Sequence, residues 1–361
     1  QDSIIINALF YVGPAISQTG SNPTGLNKYR FSSGSVYQVD KNGGVIPGGK
    51  WEQGSLIRIT GTGSAFPSTW GTAAAYGAVE FNAPGANAGA IQNLSLPSNT
   101  VFQGNFTVVN LGTSAGIRLA STPSNIVIQG DLIIQQGLVS LANSSTAGSV
   151  TVNGSFSQSA GTTLDLQTSS ANISFTIKGG CSALGTVTEN GTSTASTIIF
   201  NGTASQSLSF GATSIANDVR FQMNNAAGAA VSTDWNLPNS TNSRLTLTLG
   251  NIDMGANTLY IQNPATTALA GGTVGSHIIG KLRRATNTAA AAYTFPVSDN
   301  AGELATVKVY PVTAASNYTV SFIRPNAFDR HAVPAGILNA GNYYWDIIQH
   351  TGSGSDPLNF S

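Results

Sequence analysis

Apolar side chains recur along this chain at every second position, in short runs interrupted by glycine. A tripeptide of an apolar residue, any residue and glycine repeats as FQG, IQG, VNG, IKG and FNG, with glycines at Gly104, Gly130, Gly154, Gly179 and Gly202. Their separations are 26, 24, 25 and 23 residues. Two residues before each glycine stand Phe102, Ile128, Val152, Ile177 and Phe200; four before stand Thr100, Ile126, Val150, Phe175 and Ile198. Two residues after come Phe106, Leu132, Phe156, Cys181 and Ala204, so the alternation runs through the glycine. Period two marks strands with one buried face, and a long, nearly constant period marks repeated coils whose turns vary in length.

The pattern predicts an all-β chain built as a right-handed parallel β-helix, a β-solenoid with coils of about 24 residues. No coil can bury its apolar face alone, so stacking supplies the core. The handedness follows from the preference for right-handed crossovers between parallel strands. The repeated glycines suit coil corners, where the backbone needs positive φ or has no room for a Cβ. A second pair, Gly137 and Gly161, recurs at 24 residues and marks another corner. Extended in both directions, the repeat predicts three parts: an N-terminal cap over 1–50, about nine coils over 51–273, and a smaller, incomplete β-sandwich-like domain over 274–361. Within the last part, VKVYPVTAASNYTVSFIRP reads as a hairpin, and the final residues read as a hairpin cut short.

Composition narrows what such a stack can bind. Only 15 basic and 15 acidic residues occur in 361, about 8%, and they cancel, where a typical soluble domain carries about 25%. A nucleic-acid partner needs a basic stripe, yet between Phe81 and Ile177 only Arg118, Asp131 and Asp165 are charged. No apolar run is long enough to span a bilayer, and one cysteine cannot form an internal disulfide. The chain opens QDSIIINALFYVG, without a basic n-region, so a secretory reading requires that a signal peptide has been removed.

The order of motifs WEQGSLIRITGTG, GAVEFN, NIVIQGDLIIQQGLVSL, GSVTVNGSFSQSAGTTLDL, STIIFNGTASQSLSF, LTLTLGNIDMGANTLYI, GKLRRATNTAAAAYTFPVSDN and NYYWDI resembles large secreted surface proteins of Bacteroidota. The resemblance extends from about Ala8 to Ile347. It implies a cell-surface or extracellular location, export through a Sec signal and the type IX secretion machinery, and an adhesive or architectural role. The C-terminal sorting domain that such proteins carry is not found in this sequence.

Candidate chemistry is sparse. Cys181 falls at an inward position, and His277, His331 and His350 have no zinc-ligand spacing. No catalytic, cofactor or metal residue is therefore assigned, and the expectation is a protein that is not an enzyme. The enzymatic alternative, polysaccharide lyase or hydrolase chemistry on a β-helix, would require Asp218, Arg220 and Asp234 to converge. A carbohydrate-binding alternative would use Trp51, Trp70, Tyr76 and Trp235 as stacking faces, although such residues more often pack a core. Lys281, Arg283 and Arg284 read as a solvated strand edge. Asp2-Ser3-Ile4 resembles the Bacteroidota O-glycosylation signal, which would place a glycan on Ser3. The resulting expectation is an extracellular structural or adhesive protein, a stiff solenoid that meets surface glycans, other surface proteins or further copies of itself.

Overall fold

The computed structural model describes residues 4–14, 29–61, 63–120, 125–192, 195–287, 291–299, 302–311, 315–324, 343–351 and 359–360. The chain is nearly all β, and its stacked parallel coils form a β-solenoid of about 11 turns spaced about 24 residues apart. It divides into two compact units, Gln1–Ile199 with Ser214–Val219, and Phe200–Thr213 with Arg220–Ser361.

In the first unit a full coil consists of three short strands. The coil that begins at Asn125 runs through Asn125–Ile128, Leu132–Ile134 and Leu138–Ala142, and the next through Gly148–Val152, Phe156–Gln158 and Thr163–Asp165. Each strand pairs in parallel with its equivalent one coil on, giving three walls. Inward residues form ladders: Phe106, Leu132, Phe156 and Cys181 on one wall, Ile117, Val139, Leu164 and Val187 on another. All eight are buried. Each large apolar member contributes about 1.5–3 kcal/mol through burial, which explains why coils with almost no charge hold together.

The two glycine families occupy different corners for different reasons. Gly104, Gly130, Gly154 and Gly179 stand between the first and second strands of their coils, and none has positive φ. Space is what they provide. A Cβ on Gly130 would come 2.8 Å from the carbonyl carbon of Gly104, and one on Gly179 would come 2.6 Å from that of Gly154. Gly137 and Gly161, between the second and third strands, instead have φ of +86° and +80°, a conformation that glycine adopts without the Cβ clash other residues incur.

The described N-terminal strands stack in parallel on those that follow them. Ile4–Ile6 pairs in parallel with Tyr29–Phe31, and Leu9–Val12 with Val36–Val39, which in turn pairs with Leu56–Ile59. Successive offsets on that wall are 27, 20 and 22 residues. Such uneven coil lengths hide the period from a search for fixed spacing.

In the second unit the parallel stack continues past residue 273. Ile278–Thr286 pairs in parallel with Ile252–Ile261 and also runs antiparallel to Ser316–Ile323. One strand therefore joins the coils to the antiparallel region. The expected hairpin across residues 307–325 does not form: Ala305–Tyr310 pairs with Tyr293–Ser298, whereas Ser316–Ile323 pairs with Tyr344–Thr351. The last strand, Asn359–Phe360, pairs with Tyr310 and Val309, so it is not half of a cut hairpin with the strand before it.

Candidate functional site

The four aromatic residues expected as sugar contacts lie in the core. Trp51, Trp70, Tyr76 and Trp235 are 3%, 7%, 1% and 0% exposed, which leaves no ring face for a ligand. Trp51 stacks on Phe31 at 3.7 Å and Trp235 on Phe210 at 4.6 Å, while Trp70 meets Tyr76 edge to face. The Tyr76 hydroxyl donates to the Gly71 carbonyl. These rings extend the internal ladders, Trp51 in register with Phe31 and Trp235 with Leu259.

The charged candidates are tied to the backbone. Asp234 Oδ1 accepts the Thr258 N–H at 2.8 Å, and Arg220 Nε donates to the Asn242 carbonyl at 3.2 Å. Each closes a link to the following coil. Asp218 belongs to the first unit and Arg220 and Asp234 to the second. Arg284 corrects the reading of a solvated basic edge, being 1% exposed. Its guanidinium donates to the carbonyls of Thr294, Ala265 and Thr266 at 2.9, 3.2 and 2.9 Å and lies over the Tyr293 ring. Burial pushes its pKa down to about 10, which leaves it charged at neutral pH. Arg283 donates to Asn317 Oδ1 from two nitrogens and covers the Tyr260 ring at 4.2 Å, and Lys281 is exposed.

Cys181 is buried, and desolvation pushes its thiol up to about 12. His277 is buried, with Nδ1 3.2 Å from the Thr273 carbonyl, and His350 Nε2 lies 2.8 Å from Thr319 Oγ1. Ser3 and His331 lie outside the described residues. Among the described residues no group of three His, Cys, Asp or Glu side chains could hold a metal ion.

Three features escaped the sequence reading. The first is a polar ladder at the glycine corner: Asn105 Oδ1 accepts the Asp131 N–H, Asp131 Oδ1 the Ser155 N–H, and Ser155 Oγ the Gly180 N–H, at 2.9, 2.7 and 3.0 Å. The signal was present as the residue after each glycine. The second is a buried acidic corner, where Asp165 and Glu189 are 2% and 3% exposed. Asp165 accepts from Asn190 Nδ2 at 2.7 Å and from the Gln167 N–H at 3.2 Å. Nothing in the local sequence marks these carboxylates as inward. The third is an exposed aromatic group, with Tyr343, Tyr344 and Trp345 at 54%, 52% and 37% exposure. Tyr343 and Trp345 pack against Phe322 at 5.5 and 5.8 Å, and Trp345 Nε1 donates to the Ala305 carbonyl at 3.2 Å. That bond fixes the indole on a strand edge.

Comparison with family models, with curated proteins and with solved structures finds no match. No helix among the described residues is long and apolar enough to cross a membrane.

Proposed function

We propose that this chain is a non-enzymatic extracellular structural or adhesive protein whose solenoid presents a binding or assembly surface. One observation carries the reading. Charged side chains that could have served chemistry, Asp131, Asp234, Arg220 and Arg284, are engaged in holding one coil to the next or in satisfying buried carbonyls. A scaffold needs those links, and a hydrolase or lyase would need such groups free and facing a substrate. Residence at a Bacteroidota surface, with export through the type IX machinery, is the setting the motif order suggests.

The test is incubation of the full chain with a panel of plant, algal and bacterial polysaccharides, following reducing ends and unsaturated products. No release is expected, and release that disappears in Asp234→Asn would overturn the reading. A second reading, carbohydrate binding, is favoured by the exposed ring faces of Tyr343, Tyr344 and Trp345. It predicts glycan retention on an array that Trp345→Ala abolishes while the circular dichroism spectrum of the folded chain is retained.

A further inference from the structure

The third wall of the first unit, ordered from Gln92–Asn93 through Ile117–Ala120, Leu138–Ala142 and Thr163–Asp165, ends at Thr186–Thr188. Beyond that strand, among the described residues, a single bridge follows, Val187 with Ile215, held by Val187 N–H to the Ser214 carbonyl at 2.6 Å and Ala216 N–H to the Val187 carbonyl at 2.9 Å. Glu189 comes directly after the strand and is 97% buried, its exposure being 3%. Neither carboxyl oxygen makes a hydrogen bond of regular geometry among the described residues. The neighbouring Asp165 takes the donors of Asn190 and Gln167.

We infer that Glu189 is a proton-controlled latch on this last rung: neutral, it lets the rung seat against Ile215, and once ionised it releases the rung. The physical reason is that a carboxylate buried this deeply, with no hydrogen bond of regular geometry, is far costlier than a buried carboxylic acid. Surrounding charge acts in the same direction. Asp165 on Thr163–Asp165 and Asp218 in the segment that carries Ile215 both disfavour a further negative charge at Glu189. Arg118 on Ile117–Ala120 acts on Asp165 and donates to Thr168 Oγ1 at 3.3 Å. Ser196 and the Gly191 N–H favour the charged form, but burial outweighs them and pushes Glu189 up to about 7.

The sign follows from linkage. The ordinary value of a glutamate is 4.5, so between there and about 7 the folded chain holds a proton that the unfolded chain has lost. Stability falls as pH rises through that window and is level above it. Acid closes the rung; neutral to alkaline conditions open it and bare a strand edge able to pair with another chain.

The chain contains four glutamates, Glu52, Glu80, Glu189 and Glu303, so carboxyl-¹³C labelling of glutamate in the intact protein gives four signals to follow against pH. One should titrate near 7 and be missing from Glu189→Gln. The melting temperature of the native chain should fall from about pH 5 to about pH 7.5, and that of Glu189→Gln should fall less, keeping only the contribution of the buried Asp165, whose pKa burial also raises. Above pH 7, amide exchange of Val187 and Ala216, corrected for intrinsic rates, should be at least about tenfold faster in the native chain than in Glu189→Gln. Four ordinary titrations would overturn the proposal even if the variant failed to fold. A shifted titration with unchanged exchange would overturn the latch and leave only a buried acid.

Discussion

Gly154 sits so close beneath the preceding corner that a Cβ on it would stand 2.7 Å from both the carbonyl carbon and the carbonyl oxygen of Gly130. Backbone atoms held in a ladder cannot move aside as a flexible side chain can. Gly154→Ala should therefore destabilise the chain by about 1–3 kcal/mol, the usual cost of overpacking, although alanine is the better-behaved residue in an unfolded chain. Gly161→Ala, at a corner with open space but a φ of +80°, tests the other cause, since its cost is the left-handed conformation itself, about 1–2 kcal/mol. Urea unfolding of the two variants measures both. Equal stability of Gly154→Ala and the native chain would remove close approach as the reason for the repeat.

The corner ladder gives a sharper test of charge without chemistry. Asp131 is used as an acceptor for the Ser155 N–H, so the oxygen matters more than the charge. Asp131→Asn should stay close to native stability, and Asp131→Ala should lose about 1.5–3 kcal/mol, the range for a hydrogen bond to a charged group. A large loss in Asp131→Asn would mean that the negative charge itself is needed.

Much of this architecture can be read from residue spacing, because inward positions are chemically uniform. The spacing of Phe106, Leu132, Phe156 and Cys181 predicts one ladder, and the four stand in register. Fixed spacing failed where coil length drifts, as between Leu9, Val36 and Leu56. It failed again where pairing skips a neighbour: Ala305–Tyr310 and Ser316–Ile323 alternate like a hairpin, yet each pairs elsewhere. Candidate sites were harder still. Whether Trp235 or Trp345 faces solvent depends on which side of a strand meets the core, and a single aromatic residue carries no record of that. Arg284 shows the same limit, since its spacing within Ile278–Thr286 alternates with Arg283 but its charge argued against burial.

Arg284 should be among the most sensitive polar positions. Its guanidinium is the donor for the carbonyls of Thr294, Ala265 and Thr266. Arg284→Met keeps the apolar stem and leaves those acceptors without it, at about 1–3 kcal/mol for each one that water cannot reach. Arg284→Lys retains the charge but cannot reproduce the planar fork. The expected order of melting temperature is native, Arg284→Lys, Arg284→Met. A methionine variant as stable as the native chain would show that hydration replaces the clamp.

The four tryptophans divide into three that are buried and one, Trp345, that is 37% exposed. Acrylamide should quench a minor component of native fluorescence readily and the remainder poorly, and Trp345→Phe should remove the accessible component. Trp235→Ala, by contrast, should leave the accessible component unchanged while costing about 3–5 kcal/mol of stability, as expected for emptying a core site. Loss of glycan retention in Trp235→Ala at native stability would restore the buried ring as a ligand contact.

Cys181 offers a probe of the coils that needs no substitution. Its thiol lies in register with Phe156 inside the stack, and burial holds it in the protonated form, with its pKa pushed up to about 12. The thiolate is the reactive species, so a disulfide reagent at neutral pH has neither access nor nucleophile while the ladder is closed. Modification then requires opening of the coil, and its rate measures that opening directly. We expect no reaction in the native chain over minutes and one equivalent of thiol after denaturation. Rapid stoichiometric labelling of the folded chain would place Cys181 at the surface, and the wall it shares with Phe106, Leu132 and Phe156 would have to be turned inside out.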